Sequence, residues 1–141
     1  MPSSLIVPIA EIKNIQKHPD ADKLDTCKIL GWSIVTGRNL YKEDDKVAYI
    51  PPDSLITEEL AEQLGIIQYL QSVKNIDGTF VTDEKGNKML RVRQAKLRGF
   101  PSFGTTVPIS LFEKYEIPLD ISVGENVADK VGVVKLLPQL R

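Results

Sequence analysis

The chain has 141 residues, 42% hydrophobic and 26% charged, which fits one folded domain and excludes a disordered composition or a large multi-domain enzyme. Its 18 basic and 19 acidic residues leave a net charge of −1, while a single Cys27 and a single His18 exclude an internal disulfide and most metalloenzyme ligand sets. No apolar run approaches the roughly 18 residues that cross a bilayer, and Met1-Pro2-Ser3-Ser4 does not open a secretory signal, so an intracellular location, cytoplasmic or nuclear and away from membranes, is expected.

Between Leu5 and Ile15 the residues are largely β-branched and interrupted by Pro8, which suits an opening strand. His18-Pro19-Asp20-Ala21-Asp22 joins a proline to aspartates able to make side-chain turns, so a compact loop follows. A second strand is expected from Leu24 to Leu30 and a turn at Gly31-Trp32. A third strand then runs from Ser33 to Thr36, ended by Gly37, with a polar connection from Asn39 to Asp45. Lys46 to Ile50 forms another strand, stopped by Pro51-Pro52. Thr57 can cap a helix whose first turn holds Glu58 and Glu59 and whose Leu60, Ala61 and Leu64 recur at helical spacing before Gly65. Ile66 to Asn75 either prolongs that helix after a break or wanders as an insertion.

Ile76 to Thr82 reads as a strand, Asp83 to Asn87 as a hairpin loop, and Lys88 to Arg98 as a long returning strand. Within it Leu90 and Val92 are apolar on even positions, whereas Ala95 and Leu97 are apolar on odd ones. Side chains alternate faces with period two, so keeping the apolar set inward requires a β-bulge or bend near Gln94. Gly99 to Gly104 reads as a turn, Thr105 to Pro108 as the last strand and Ser110 to Tyr115 as a helical turn. A short acidic-start helix is expected around Glu125 to Lys130, inside a final segment from Val123 to Leu137. Five or six short strands with one clear helix favour a mainly β fold, a small antiparallel barrel, over alternating βαβ units.

The charge is unevenly placed. Lys85, Lys88, Arg91, Arg93, Lys96 and Arg98 fall within the 28 residues from Lys85 to Phe112, which hold no acid, so this segment is +6 and the rest of the chain −7. Cations on one face of an extended strand lie about 6 to 7 Å apart and can meet successive phosphates. The pattern therefore favours a polyanion ligand over a merely solvated strand face. Phe100 and Phe103 could stack on unpaired bases or plug the core.

Motifs for catalysis are missing: no phosphate loop, dinucleotide fingerprint, zinc helix or nucleophile elbow occurs. His18 beside a proline in a turn reads as structural rather than as a triad member, and Cys27 on an apolar strand as a packed, inert thiol. Lys74-Asn75-Ile76-Asp77-Gly78 is close to the K-x-D-G signature of nucleotidyltransferases but sets two residues between Lys and Asp. Asp77-Gly78 therefore reads as a turn, and no catalytic residue is assigned.

His18-Pro19-Asp20-Ala21-Asp22-Lys23-Leu24, Cys27, Ile34-Val35-Thr36-Gly37, Ala95-Lys96-Leu97-Arg98-Gly99 and Ser102-x-Gly104 follow one another in a familiar order. In this the chain resembles the OB-fold tRNA-binding domains attached to aminoacyl-tRNA synthetases. Those domains usually continue Ser-x-Gly-Met into an apolar pair, whereas here Gly104 precedes Thr105-Thr106-Val107-Pro108. More closely, the chain resembles the amino-terminal OB module of a group of ATP-dependent RNA ligases. The insertion Thr57 to Asn75 supports this, as does the strand from Arg91-Val92-Arg93 to Gly99 running into Ser102-Phe103-Gly104-Thr105-Thr106-Val107-Pro108. So does the tail, Val123-Gly124-Glu125-Asn126-Val127 to Gly132-Val133-Val134-Lys135.

The resemblance implies an OB-type barrel over residues 1–122 with a helical insertion around 54–75. It makes 123–141 a linker toward a nucleotidyltransferase domain absent from the chain. The implied role is an RNA-binding accessory domain, not catalytic alone, that engages nicked duplex, broken ends or tRNA. No cofactor is implied for the domain itself; ATP, Mg and the adenylated lysine would belong to its intramolecular partner, the catalytic ligase domain. The family's bound surface carries over to Arg91, Arg93, Lys96 and Arg98, with Ser102 as a phosphate donor and Phe103 beside it. Lys23 matches the shared His-Pro loop, and His18 could contact RNA at the barrel rim. The alternatives are a tRNA-binding module, free-standing or synthetase-associated, and a protein-interaction domain.

Overall fold

Short β-branched runs punctuated by turn residues make the frame. The structure, a computed structural model, describes residues 6–97 and 99–135. In chain order the strands are β1 (Ile9–Glu11), β2 (Lys13–Lys17), β3 (Leu24–Ile29), β4 (Trp32–Gly37), β5 (Lys46–Ile50), β6 (Ser54–Thr57), β7 (Gln71–Ser72), β8 (Met89–Arg91), β9 (Gln94–Leu97), β10 (Phe100–Phe103), β11 (Thr105–Pro108) and β12 (Val134–Lys135). Helix α1 spans Glu58–Leu64 and α2 spans Ala128–Val131, with 3-10 turns at Ile67–Tyr69, Ile109–Leu111 and Glu113–Tyr115.

The ladders are antiparallel, in the orders β2-β3-β4, β1-β5-β11, β9-β10 and β12-β6-β8-β7. Bends join the first three into a ring. β1 continues into β2 past Ile12, β10 continues into β11 past Gly104, and β4 lies beside β10, where the Val35 N–H donates to Ser102 Oγ at 3.0 Å. The circuit β1/β2, β3, β4, β10/β11, β5 and back to β1 is the expected small antiparallel barrel, and the fold is mainly β.

β5 serves two interiors. Val47 and Tyr49 point into the barrel with Ile12, Cys27, Ile29, Ile34 and Tyr41, while Ala48 and Ile50 point outward into a second core. Leu60 of α1, Phe112, Ile117 and the tail residues Val127, Val131 and Val133 cover that outer face. Val7 and Ile9 reach the tail through the backbone, since Ile9 N–H donates to Glu125 O at 2.9 Å and Val127 N–H to Val7 O at 2.9 Å. Residues 123–135, read from the sequence as the start of a linker, are thus packed into the domain. The tail's helix is shorter than expected and begins at Ala128.

Helix α1 forms as its sequence dictates: Thr57 Oγ1 accepts the Leu60 N–H at 3.1 Å, and Gly65 ends it in the left-handed region at φ 70°. Elsewhere the chain departs from expectation. The opening strand breaks at Ile12, whose N–H donates to Asp45 O instead. The first hairpin turns at Leu30-Gly31, both with positive φ (52° and 84°), which places Trp32 inside β4. β6 was not foreseen, because its four residues between a proline pair and a helix cap are a strand through pairing with β8, far along the chain. Ile76 to Thr82 is not a continuous strand: Asp77 Oδ1 accepts from the Thr79 N–H and hydroxyl, holding a turn, and Phe80 and Thr82 make single bridges.

The segment 99–104 is largely strand β10 rather than a turn. The foreseen bend is a full interruption at Val92 and Arg93, not a bulge at Gln94. There Val92 N–H donates to Ser54 O at 2.9 Å and Val92 O accepts from Asp53 N–H at 2.7 Å, after which the chain leaves β6 and β7 to pair with β10.

Gly104 sits where β10 becomes β11 with φ 96°, and a Cβ there would lie 2.3 Å from Ile50 O. Gly86, at φ 86°, has nothing within 4 Å of such a Cβ. Gly104→Ala is therefore expected to lower unfolding free energy by roughly 3 kcal/mol or more, against about 1 kcal/mol for Gly86→Ala. Urea denaturation of both variants checks this, and equal losses would contradict the close approach.

Burial also pushes the Cys27 thiol and the Tyr41 and Tyr49 phenols up to about 12, from ordinary values of 9 and 10. The folded protein holds these protons to higher pH than the unfolded chain, so their stabilisation is complete below pH 9 and is lost as pH rises toward 12. Unfolding free energy should fall across that window, and ultraviolet titration should show Tyr41 and Tyr49 ionising near its upper end.

Candidate nucleic-acid interface

Two groups of side chains meet where β8 gives way to β9. Arg91, at the end of β8, directs Nε to Asp53 Oδ1 at 2.9 Å, with a second contact from Nη2 to the same oxygen, and Nη1 to Gln71 Oε1 at 3.4 Å. Arg93, exposed in the interruption, lines the same hollow of about 390 Å³, which Pro52, Asp53, Gln71 and Gln94 complete. Two guanidinium groups face one carboxylate, so this hollow carries surplus positive charge and several side-chain hydrogen-bonding groups, the chemistry that recognises a phosphate.

The second group lies across the ladder. Gln94 opposes Phe103 and Lys96 opposes Pro101, so these four residues share one face of the β9-β10 pair. The Phe103 ring meets the indole of Trp32 with centroids 5.4 Å apart at 47°. Trp32 is 49% exposed at the tip of the β3-β4 hairpin, beside the exposed Leu30. Lys28, on the same hairpin, donates from Nζ to Ser33 Oγ at 2.8 Å. The aromatic pair thus presents a half-exposed indole near the ladder face that carries Lys96, chemistry that can stack on a flat ring.

The sequence candidates are thus divided. Arg91 and Arg93 come together, Lys96 and Phe103 form the neighbouring group through Gln94, and Arg98 lies outside the described residues. Among the described residues Arg91, Arg93 and Lys96 do not lie on one continuous strand, because the chain is interrupted at Val92 and Arg93 between β8 and β9. His18 is 1% exposed, its Nδ1 accepts the Asp20 N–H at 2.9 Å and its ring packs 5.6 Å from that of Phe100. The imidazole is therefore buried behind the loop it braces, not displayed at the barrel rim.

Ser102 is 5% exposed and its Oγ accepts the buried Val35 N–H, so it fastens β4 to β10 instead of meeting a phosphate. Lys23 is exposed on the His-Pro loop, which Arg38 clamps: its N–H donates to Lys23 O at 2.8 Å, and its Nε lies 3.3 Å from the buried Asp25 carboxylate. The other end of the basic segment stands apart, since Lys88 and Lys74 lie over the Phe80 ring at 4.1 and 5.3 Å.

Sequence reading missed Trp32, Asp53, Gln71 and Gln94. A Leu-Gly pair is a weak hairpin signal, which set the turn one residue late and hid Trp32 inside it. The buried Cys27 thiol is protonated far above neutral pH and offers no nucleophile. Among the described residues no three His, Cys, Asp or Glu side chains gather as a metal site, and no helix is long and apolar enough to cross a membrane.

A small five-stranded antiparallel barrel is the form of an OB-fold domain, and the OB-fold domain family model matches residues 6–109. The chain belongs to this family. Among solved structures it is similar to an RNA ligase of Naegleria gruberi. A lysine-to-alanine mutant of that ligase with ATP and Mn matches with TM-score 0.72 and 25% identity, over 93% of this chain and 35% of that one. A glutamate-to-alanine mutant with AMP and Mn gives the same values, and an apo aspartate-to-alanine mutant matches at TM-score 0.72 and 25% identity over 95% and 37%. The chain spans little more than a third of the length of these ligase chains. No curated protein sequence matches it.

Ser102→Ala strands the Val35 N–H without an acceptor inside the barrel wall and is expected to lower unfolding free energy by about 1–3 kcal/mol. Thermal or urea denaturation checks this, and an unchanged midpoint would mean that the hydroxyl is not a structural partner.

Proposed function

We propose that this domain binds RNA and positions its ends for joining by a ligase catalytic domain carried elsewhere on the parent protein. The observation that carries the reading is the Arg91-Arg93 hollow beside the Trp32-Phe103 pair, on a fold similar to that of an RNA ligase. Arg91 and Arg93 fix the register of the phosphate backbone, Lys96 adds a further cation, and the aromatic pair holds a base. The domain itself breaks and makes no bond. ATP, Mg and the reacting lysine belong to the catalytic domain, and what this domain contributes is orientation of the 3′-OH and 5′-phosphate, where misplacement costs orders of magnitude in rate. The match to ligase chains over more than nine tenths of this chain supports this reading over a tRNA-binding module.

A salt-series titration with nicked duplex RNA, single-stranded RNA and tRNA tests it. Log affinity is expected to fall with log salt by roughly 0.7–0.9 per phosphate contacted, and Arg93→Glu and Lys96→Glu to weaken binding about tenfold or more each. Trp32, the chain's single tryptophan, should lose fluorescence when a base stacks on it. Unchanged affinity in both charge-reversal variants would overturn the reading.

A further inference from the structure

The cationic hollow contains its own anion. Arg91, Arg93, Gln71 and Gln94 line it with hydrogen-bond donors, and Asp53 is the carboxylate among them. Its place is built into the backbone. Asp53 adopts φ 68°, in the left-handed region, and its N–H donates to Val92 O at 2.7 Å, next to the interruption that exposes Arg93. Arg91 turns Nε and Nη2 to Asp53 Oδ1 and Nη1 to Gln71 Oε1, so part of its donor fork is already engaged inside the protein.

A carboxylate in this position competes with an arriving anion for Arg91. The contest is open, because the pair lies at the surface, with side chains 35% and 61% exposed, where ion pairs are weak. The phosphates of an RNA strand do not enter it equally. An internal phosphodiester brings a single charge, no more than the carboxylate does, so it gains Arg93 and leaves Arg91 with Asp53. A terminal phosphate monoester carries about 1.5 to 2 charges at neutral pH and a third free oxygen, enough to take Arg91 as well and span both guanidinium groups. We propose that Asp53 is a selectivity residue: it holds Arg91 against internal phosphates and yields it to a terminal phosphate monoester, so that the hollow reads a phosphorylated strand end. The inference rests on the RNA-binding reading above and names the group that this site takes.

The test uses the 141-residue chain and one short RNA in three forms, with a 5′-phosphate, with a 3′-phosphate and with hydroxyls at both ends. Fluorescence anisotropy of an internal label reads binding to wild type, Asp53→Asn, Arg93→Glu and Lys96→Glu. Asparagine keeps the acceptor oxygen and tolerates the left-handed backbone, so Asp53→Asn removes the charge alone. Wild type should bind at least one phosphorylated form about tenfold more tightly than the hydroxyl form, and the end preferred identifies the source of the monoester. Asp53→Asn should tighten the hydroxyl form about fivefold and shrink the preference to about twofold, because Arg91 then serves internal phosphates too. Equal tightening of all three forms in Asp53→Asn, or a preference unchanged in it, would overturn the selective role of Asp53. Wild type that binds all three forms alike, yet weakens in Arg93→Glu, would overturn the selection and leave the RNA-binding reading standing. Binding that is absent, or indifferent to Arg93→Glu and Lys96→Glu alike, would overturn both.

Discussion

The burial of β5 on both faces is the constraint from which the rest follows. A strand with Val47 and Tyr49 on one side and Ala48 and Ile50 on the other must have two separate apolar covers. The barrel supplies the first. The second is assembled from α1, the segment around Phe112 and the tail from Val127 to Val133, which is why these pieces, dispersed along the chain, converge. Crowding at β5 also fixes details of the wall beside it. Tyr49 places its hydroxyl 2.5 Å from Phe103 O, and Gly104 is required where the neighbouring strand passes Ile50 O. Tyr41, in the loop before β5, reaches Thr106 Oγ1 at 2.8 Å on the barrel face, so β11 is tied to that loop by a polar bond as well as to β5 by its ladder.

The interface is a consequence of how the β8-β9 strand negotiates this architecture. Val92 turns into the outer core and bonds to the backbone of Asp53 and Ser54, which stops the first ladder and frees Arg93 to solvent. The same β6 turn that receives Val92 brings Asp53 against Arg91. The acid therefore restrains a cation that would otherwise sweep a wide volume, at the expense of part of the local positive charge. On β10 alternation then separates roles. Ser102 and Phe100 serve the wall and the His-Pro loop, whereas Phe103 and Pro101 face outward with Gln94 and Lys96.

Division of labour is built into such an arrangement. The described residues bring together cations, amides and aromatics, groups that hold and orient a polyanion, while the thiol and the imidazole are consumed by packing. A net charge of −1 is compatible with this, because the acids lie outside the segment from Lys85 to Phe112 and leave the local field positive. The chain is similar to an RNA ligase over most of its own length and covers little more than a third of that ligase.

Local signals in the sequence determined the elements whose cause is local. Thr57 and Gly65 bound α1, Pro51-Pro52 stop β5, Asp83 to Asn87 turn the hairpin, and the shift in apolar parity after Val92 announces a change of course. The +6 segment pointed to a polyanion ligand, and the order of motifs along the whole chain pointed to the OB-type domain that the family model bears out. What the sequence could not carry was partnership. Whether Ser54–Thr57 is a strand depends on β8, whether Ser102 and His18 are exposed depends on β4 and on Phe100, and whether four cations form a row depends on which strand each half of β8-β9 pairs with. Trp32 enters the site because Phe103, 71 residues further on, meets its ring, and only the tertiary fold sets such distances.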